Sequence, residues 1–153
     1  MRVVIDTNVF VSGWLWGGIP ARLFRLARNS QLRICASEPI LAELQNTLSK
    51  QKLQGKLQSL GFTVDSLMSA TRALVQVYPI SELNVPSLRD SNDNIILATA
   101  IAADADAIVT GDLDLLVLQE YEGIVIVTAR DFLDRYFPEN GSNKYVVKFN
   151  YSN

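Results

Sequence analysis

Short continuous apolar runs alternate along the chain with stretches whose apolar residues recur every three or four positions. Val3-Val4-Ile5 is an unbroken apolar run ending in Asp6, as expected of a parallel strand buried on both faces. Trp14-Leu15-Trp16-Gly17-Gly18 breaks the pattern, and Pro20 then suits the first turn of a helix running to about Asn29. Leu32 to Ala36 predicts a second buried strand, with Ser37 as N-cap and Pro39 in the first turn of a helix reaching about Ser49. Helices are expected over 52–60 and 64–78, parted by Gly61, with Pro79 ending the second. A polar connection from Ser81 to Asn92 contains Pro86, and a helix follows from about Asp93 to Ala103. Strands are expected at Ala107–Thr110 and Ile124–Thr128, and a last helix at Ala129–Phe137. The tail from Pro138 is polar until Tyr145-Val146-Val147-Lys148-Phe149, and reads either as disordered or as an added edge strand.

Strands alternating with helices imply an α/β fold: a three-layer α/β/α arrangement around a parallel sheet of four to five strands. The domain is expected to span 1–137, with 138–153 as a C-terminal tail. In such sheets, sites form beyond the carboxyl ends of the strands, where strand order reverses. Asp6 and Asp112 each stand just after such an end.

Composition narrows the chemistry. The 153 residues suffice for one ordinary domain, and 48% apolar with 20% charged places the chain among globular proteins. Three apolar positions before Asp6 are too few for a signal peptide, and no run has membrane-spanning length, so the cytoplasm is the default expectation. Histidine is absent, which excludes Ser-His-Asp and Cys-His catalysis and His-ligated zinc. One cysteine, Cys35 in an apolar run, reads as a buried small hydrophobe and leaves no thiolate metal site. A metal in this chain must therefore be held by oxygen, which means Mg²⁺, Mn²⁺ or Ca²⁺. The net charge of −2 hides an asymmetry: residues 1–60 hold eight Lys or Arg against three acids, and residues 61–153 six against thirteen. Arg22, Arg25, Arg28, Arg33, Lys50, Lys52 and Lys56 can face a polyanion or serve as ordinary solvated helix faces.

The carboxylates carry the sharpest signal. Glu43 shares a helical stripe with Ile40, Leu44, Thr47 and Leu48, a costly place for an acid unless it is paired or sits at the border. Asp93 shares one with Ile96, Leu97, Ala100 and Ile101, with Asp90 three residues earlier, though acids also favour helix N-termini for dipole and capping reasons. Asp6 reads equally as an N-cap, Asp112 as a turn residue, and Asp114 as a helix cap or an outer metal contact. Together they say more, because a parallel fold can bring Asp6, Glu43, Asp93 and Asp112 to one end of the sheet. Two like charges about 4 Å apart repel by about 4 kcal/mol at an effective dielectric near 20, so such a cluster is suited to a divalent cation.

At these residues the chain resembles the PIN-domain family. Asp6-Thr7-Asn8-Val9 after a hydrophobic strand is similar to the family's opening motif, and Glu43 within Ile40-Leu41-Ala42-Glu43-Leu44 to its second acid. Arg89-Asp90-Ser91-Asn92-Asp93-Asn94 followed by Leu97-Ala98 resembles the third block, and Val109-Thr110-Gly111-Asp112-Leu113-Asp114-Leu115-Leu116 the fourth. The likeness runs from residue 1 to about 135 and is nearest to the toxin components of bacterial toxin–antitoxin systems. It implies a PIN-like fold and a Mg²⁺- or Mn²⁺-dependent endoribonuclease, often a homodimer, silenced by a cognate antitoxin. It also implies that Asp6, Glu43, Asp93 and Asp112 are metal-binding catalytic acids, that Asn8 orients Asp6 or a water, and that Thr110, Asp90 and Asp114 support them. Ser91 departs from the proline that many relatives carry there.

Trp14 and Trp16 flank this region and can stack RNA bases, cover a dimer interface or pack on neighbouring helices, and Arg22 and Arg25 are candidate RNA contacts. A haloacid-dehalogenase-type phosphatase would want a second Asp where Asn8 stands, and a dinucleotide-binding domain a Gly-x-Gly-x-x-Gly turn where Asp6-Thr7-Asn8 stands. The alternative that keeps the fold is a PIN-like module that binds nucleic acid or protein without cutting.

Overall fold

In the computed structural model, which describes residues 1–81 and 91–138, the run Val3-Val4-Ile5 lies fully buried in strand β1 (Arg2–Ile5). It pairs in parallel with β2 (Arg33–Ala36) on one side and β4 (Ala107–Val109) on the other. The sheet has six strands in the order β3-β2-β1-β4-β6-β5, with β3 at Val75–Val77, β5 at Glu120–Tyr121 and β6 at Ile124–Val127. All pairings are parallel except β5 with β6. The chain runs outward from β1 to β2 and β3, then crosses to β4 and β6, so the order reverses at β1 and β4. That reversal opens a crevice beyond the carboxyl ends of those two strands.

Eight helices surround the sheet among the described residues: α1 (Thr7–Leu15), α2 (Gly18–Arg28), α3 (Glu38–Leu48), α4 (Gln51–Leu60), α5 (Val64–Leu74), α6 (Ser91–Ala102), α7 (Leu113–Leu116) and α8 (Ala129–Tyr136). One continuous core joins the strands to α1, α2, α3, α6 and α8, with Phe10, Phe24, Leu44, Leu97 and Phe132 fully enclosed. The fold is the expected mostly parallel α/β sheet flanked by helices, two edge strands richer than the pattern of apolar runs foretold.

Those two strands are instructive. The helix expected to reach residue 78 ends at Leu74, and Val75-Gln76-Val77 turns extended to pair with Ile34, Cys35 and Ala36. The apolar spacing continues through this segment, but β-branched valines beside an open sheet edge gain more from the ladder than from another helical turn. β5 pairs with β6 through the two-residue turn Glu122-Gly123, both residues at positive φ (53° and 82°), the geometry that suits a tight hairpin.

Helix α1 was not marked by periodicity, because its apolar residues are spread over several faces. It packs against α2 and α3, and meets α2 at Gly13, where an added Cβ would lie 2.6 Å from the Phe24 ring. Trp14 packs tilted on the same ring at 4.5 Å and donates its indole N–H to Thr71 Oγ1 at 3.0 Å. Ser37 stands at the N-cap of α3 as expected, but its side chain makes no cap bond; its hydroxyl instead shares a 2.7 Å hydrogen bond with Thr99 of α6. Cys35 is buried in β2, where burial pushes its thiol pKa up. Asp90, with the rest of residues 82–90 of the expected connection, and the tail from residue 139, with its two readings, lie outside the described residues, while Ser91 and Asn92 already belong to α6.

Candidate active site

Asp6 leaves β1 at the point where strand order reverses, and its backbone N–H donates to the Val109 carbonyl at 3.0 Å, tying it to the end of β4. Thr110, the residue after β4 and 1% exposed, donates its hydroxyl to Asp6 Oδ2 at 2.6 Å. Thr110 Oγ1 also accepts the Asp112 N–H at 3.0 Å, and Asp112 Oδ1 accepts the Asp114 N–H at 2.9 Å, capping the short α7. A polar relay thus runs from Asp6 through Thr110 to Asp112 and Asp114.

Two helices bring further acids to this relay. Asp93, in the first turn of α6, is only 3% exposed. Glu43, midway along α3, is half-buried at the border of the stripe formed by buried Ile40, Leu44, Thr47 and Leu48. Asp6, Asn8, Glu43, Asp93 and Asp112 line one cavity of about 100 Å³, walled by Ile40, Ile95 and Ile96. Carboxylate oxygens of Asp93, Asp112 and Asp114 all lie within 4.8 Å of one another.

Burial raises the Asp6 carboxyl above its ordinary value of 3.8. The Thr110 hydroxyl and the nearby Asn8 and Thr7 amides pull it down, while the negative charge of Asp112 pushes it up. An acid whose charged form is disfavoured by its apolar walls and its neighbour is one that a cation would relieve. Oxygen-only donors crowded this closely suit a hard divalent ion such as Mg²⁺ or Mn²⁺, and the donor set holds no nitrogen or sulfur to favour zinc. The residues present therefore fit such an ion.

The structure gathers Asp6, Asn8, Glu43, Asp93, Thr110, Asp112 and Asp114 at one place. Asp114 joins the tight trio, although its spacing two residues after Asp112 left it open as a simple helix cap. Thr7 and Asn92 also line the cavity; their place beside Asp6 and Asp93 in sequence was the signal for them. The other RNA candidates part company. Trp14 is given over to packing against Phe24, while Trp16 is 60% exposed. Arg22 and Arg25 line a different depression of about 360 Å³ at the junction of α2 with the end of α8, where Arg22 donates to the Phe137 carbonyl at 3.2 Å. A further depression of about 640 Å³ lies at the opposite ends of the strands, around Arg2, Arg33, Asp104 and Asp106, where the charges balance and acids are not concentrated.

A family model described as PIN domain matches residues 2–114, which include every carboxylate of the cavity. Among solved structures the chain is similar to the crystal structure of VapBC2 from Rickettsia felis bound to a DNA fragment from their promoter. The match is 21% identical with a TM-score of 0.56, and covers 82% of this chain and 97% of that one, a likeness of fold. No curated protein sequence matches the chain.

Proposed function

The chain belongs to the PIN-domain family, and on that premise we propose that it is a metal-dependent endoribonuclease, the toxin of a cytoplasmic toxin–antitoxin pair. The observation that carries this reading is the convergence of acids from β1, α3, α6 and the β4–α7 step on one small cavity at the reversal of strand order. Asp93, Asp112 and Asp114 would hold a Mg²⁺ or Mn²⁺ ion, with Asp6 and Glu43, which line the same cavity, completing the set. When bound, such an ion polarises a phosphoryl oxygen and lowers the pKa of a coordinated water.

The chain's own residues do the rest. Thr110 fixes the Asp6 carboxylate through its 2.6 Å bond, so this acid needs no reorganisation when the substrate arrives. Ile40, Ile95 and Ile96 wall the cavity and strengthen every charge interaction within it. Asn8, exposed at the mouth, offers an amide to a phosphate or a water. The chain has no histidine and its cysteine is buried in β2, so the reading is hydrolysis by water without a covalent intermediate. The fold likeness to VapBC2 supports extending the toxin–antitoxin assignment to this chain. Leu113 and Val117, 78% and 75% exposed one helical turn apart beside Asp112 and Asp114, support a protein partner over the site.

Purified protein and Asp6→Asn would be incubated with a structured RNA pool in Mn²⁺, in Mg²⁺ and in chelator. Cleavage by the unaltered protein alone, and only with metal, is the expected result. Equal cleavage by both proteins, or none, would overturn the catalytic reading and favour a PIN-like binding module.

A further inference from the structure

We infer that the exposed indole of Trp16, together with the Lys56 ammonium, forms a stacking and phosphate-holding site for single-stranded RNA at the far end of a path that begins in the acidic cavity. The inference rests on the ribonuclease reading of that cavity.

Along α1, Asn8, Ser12 and Trp16 recur at every fourth position and so share one face. Asn8 lines the acidic cavity, Ser12 is half-buried, and Trp16 closes the helix as its C-cap. Trp16 stays in helical register, its N–H donating to the Ser12 carbonyl at 2.9 Å. Eight residues at about 1.5 Å each set Trp16 about 12 Å along the helix from Asn8, a span that a few nucleotides bridge.

The ring is placed to receive a base. Trp14, two residues earlier, is spent on Phe24 and Thr71, whereas Trp16 is 60% exposed, with room for a planar partner. The chain leaves it through Gly17 and Gly18, both at positive φ (71° and 64°), and apart from adjoining residues of the chain itself no atom lies within 4 Å of where their Cβ atoms would be, so no other part of the fold fills that space. The Lys56 ammonium lies 5.6 Å from the ring centroid, and Lys50 and Lys52 are exposed on the same helix–loop segment.

A polyanion with planar bases answers both features at once. Base stacking on aromatic rings is sequence-tolerant, and the lysine over one face of the ring meets the phosphate of a base stacked on the other. A protein interface is a poorer fit, because a lone aromatic among lysines is not the apolar, lysine-poor centre that such interfaces show.

The test measures binding of a short fluorescein-labelled oligouridine by anisotropy, in chelator so that nothing is cut, with the full chain and with Trp16→Ala, Trp16→Phe and Lys56→Ala. Circular dichroism melting checks that each variant folds. Trp16→Ala should weaken binding about ten-fold or more while Trp16→Phe keeps most of it. Lys56→Ala should weaken it less and lower the salt slope by about 0.7. Unchanged binding by a folded Trp16→Ala, no binding by the unaltered protein, or a change of oligomeric state in ultracentrifugation with RNA affinity intact would each overturn the proposal. Cleavage is scored separately: a protein that cuts RNA but binds it equally well without Trp16 refutes this site alone, and Trp16-dependent binding without cutting refutes the nuclease reading alone.

Discussion

Thr110 and Asp6, 104 residues apart in sequence, are joined by a 2.6 Å hydrogen bond that links the ends of two adjacent parallel strands behind the acidic cavity that Asp6 lines. Because the Thr110 oxygen also accepts the Asp112 N–H, one hydroxyl sets the positions of two acids. It is also the strongest influence drawing the Asp6 pKa downward, against the burial that raises it.

Replacing Thr110 with valine keeps the shape and removes the hydroxyl. Asp6 then loses its donor and the Asp112 N–H its acceptor in a buried place, at a cost of about 1–3 kcal/mol. Thr110→Val should lower the stability measured by urea titration in chelator and reduce metal-dependent cleavage about ten-fold or more, while Thr110→Ser retains both. A valine variant with normal kcat/KM would show that the relay does not position the acids.

The raised Asp6 pKa gives a pH dependence with a definite sign. In the metal-free fold Asp6 keeps its proton at pH values where the unfolded chain has already lost it, so the folded state binds more protons. This contribution to stability is fully present below 3.8 and is lost as pH rises through the raised folded value. Urea titrations in chelator from acid pH upward should show the unaltered protein falling in stability relative to Asp6→Asn across that window. Parallel curves would mean that Asp6 is not perturbed.

Metal should reverse that penalty. Mn²⁺ is expected to raise the Tm, by the equivalent of about 2.7 kcal/mol at a hundred-fold excess over Kd. Asp93→Asn and Asp112→Asn should lose most of that shift, yet melt in chelator at or above the unaltered protein because crowded charge has been relieved. Variants that keep the full shift would remove those two acids from the site.

Packing offers a control remote from chemistry. A Cβ at Gly13 would lie 2.6 Å from one Phe24 ring atom and 2.7 Å from another, with the ring held between Phe10 and Trp14. Gly13→Ala should therefore cost about 1–3 kcal/mol in a urea titration despite alanine's better helix propensity. A stabilised variant would mean that α1 and α2 separate easily.

By itself the sequence determined the central strands, most of the helices and the acids worth watching. Val3–Ile5, Ile34–Ala36 and Ala107–Val109 are buried on both faces, so their residues must be apolar without interruption, and that pattern is local. The stripes that carry Glu43 and Asp93 were legible for the same reason, since helical spacing decides which side faces the core, except that Ile101, assigned to the Asp93 stripe, is 45% exposed at its far edge. Tertiary structure alone decided the edges and the partners. Val75–Val77 became a strand because β2 presented an open edge, and no local rule could weigh that ladder against one more helical turn. It also decided which tryptophan is core: two indoles two residues apart in sequence differ in exposure because Phe24 of the next helix and Thr71, 57 residues on, arrive beside one and not the other. Likewise Asp114, ambiguous by spacing, joins Asp93 and Asp112 because α6 and the β4–α7 step converge, and long-range convergence leaves no mark on local periodicity.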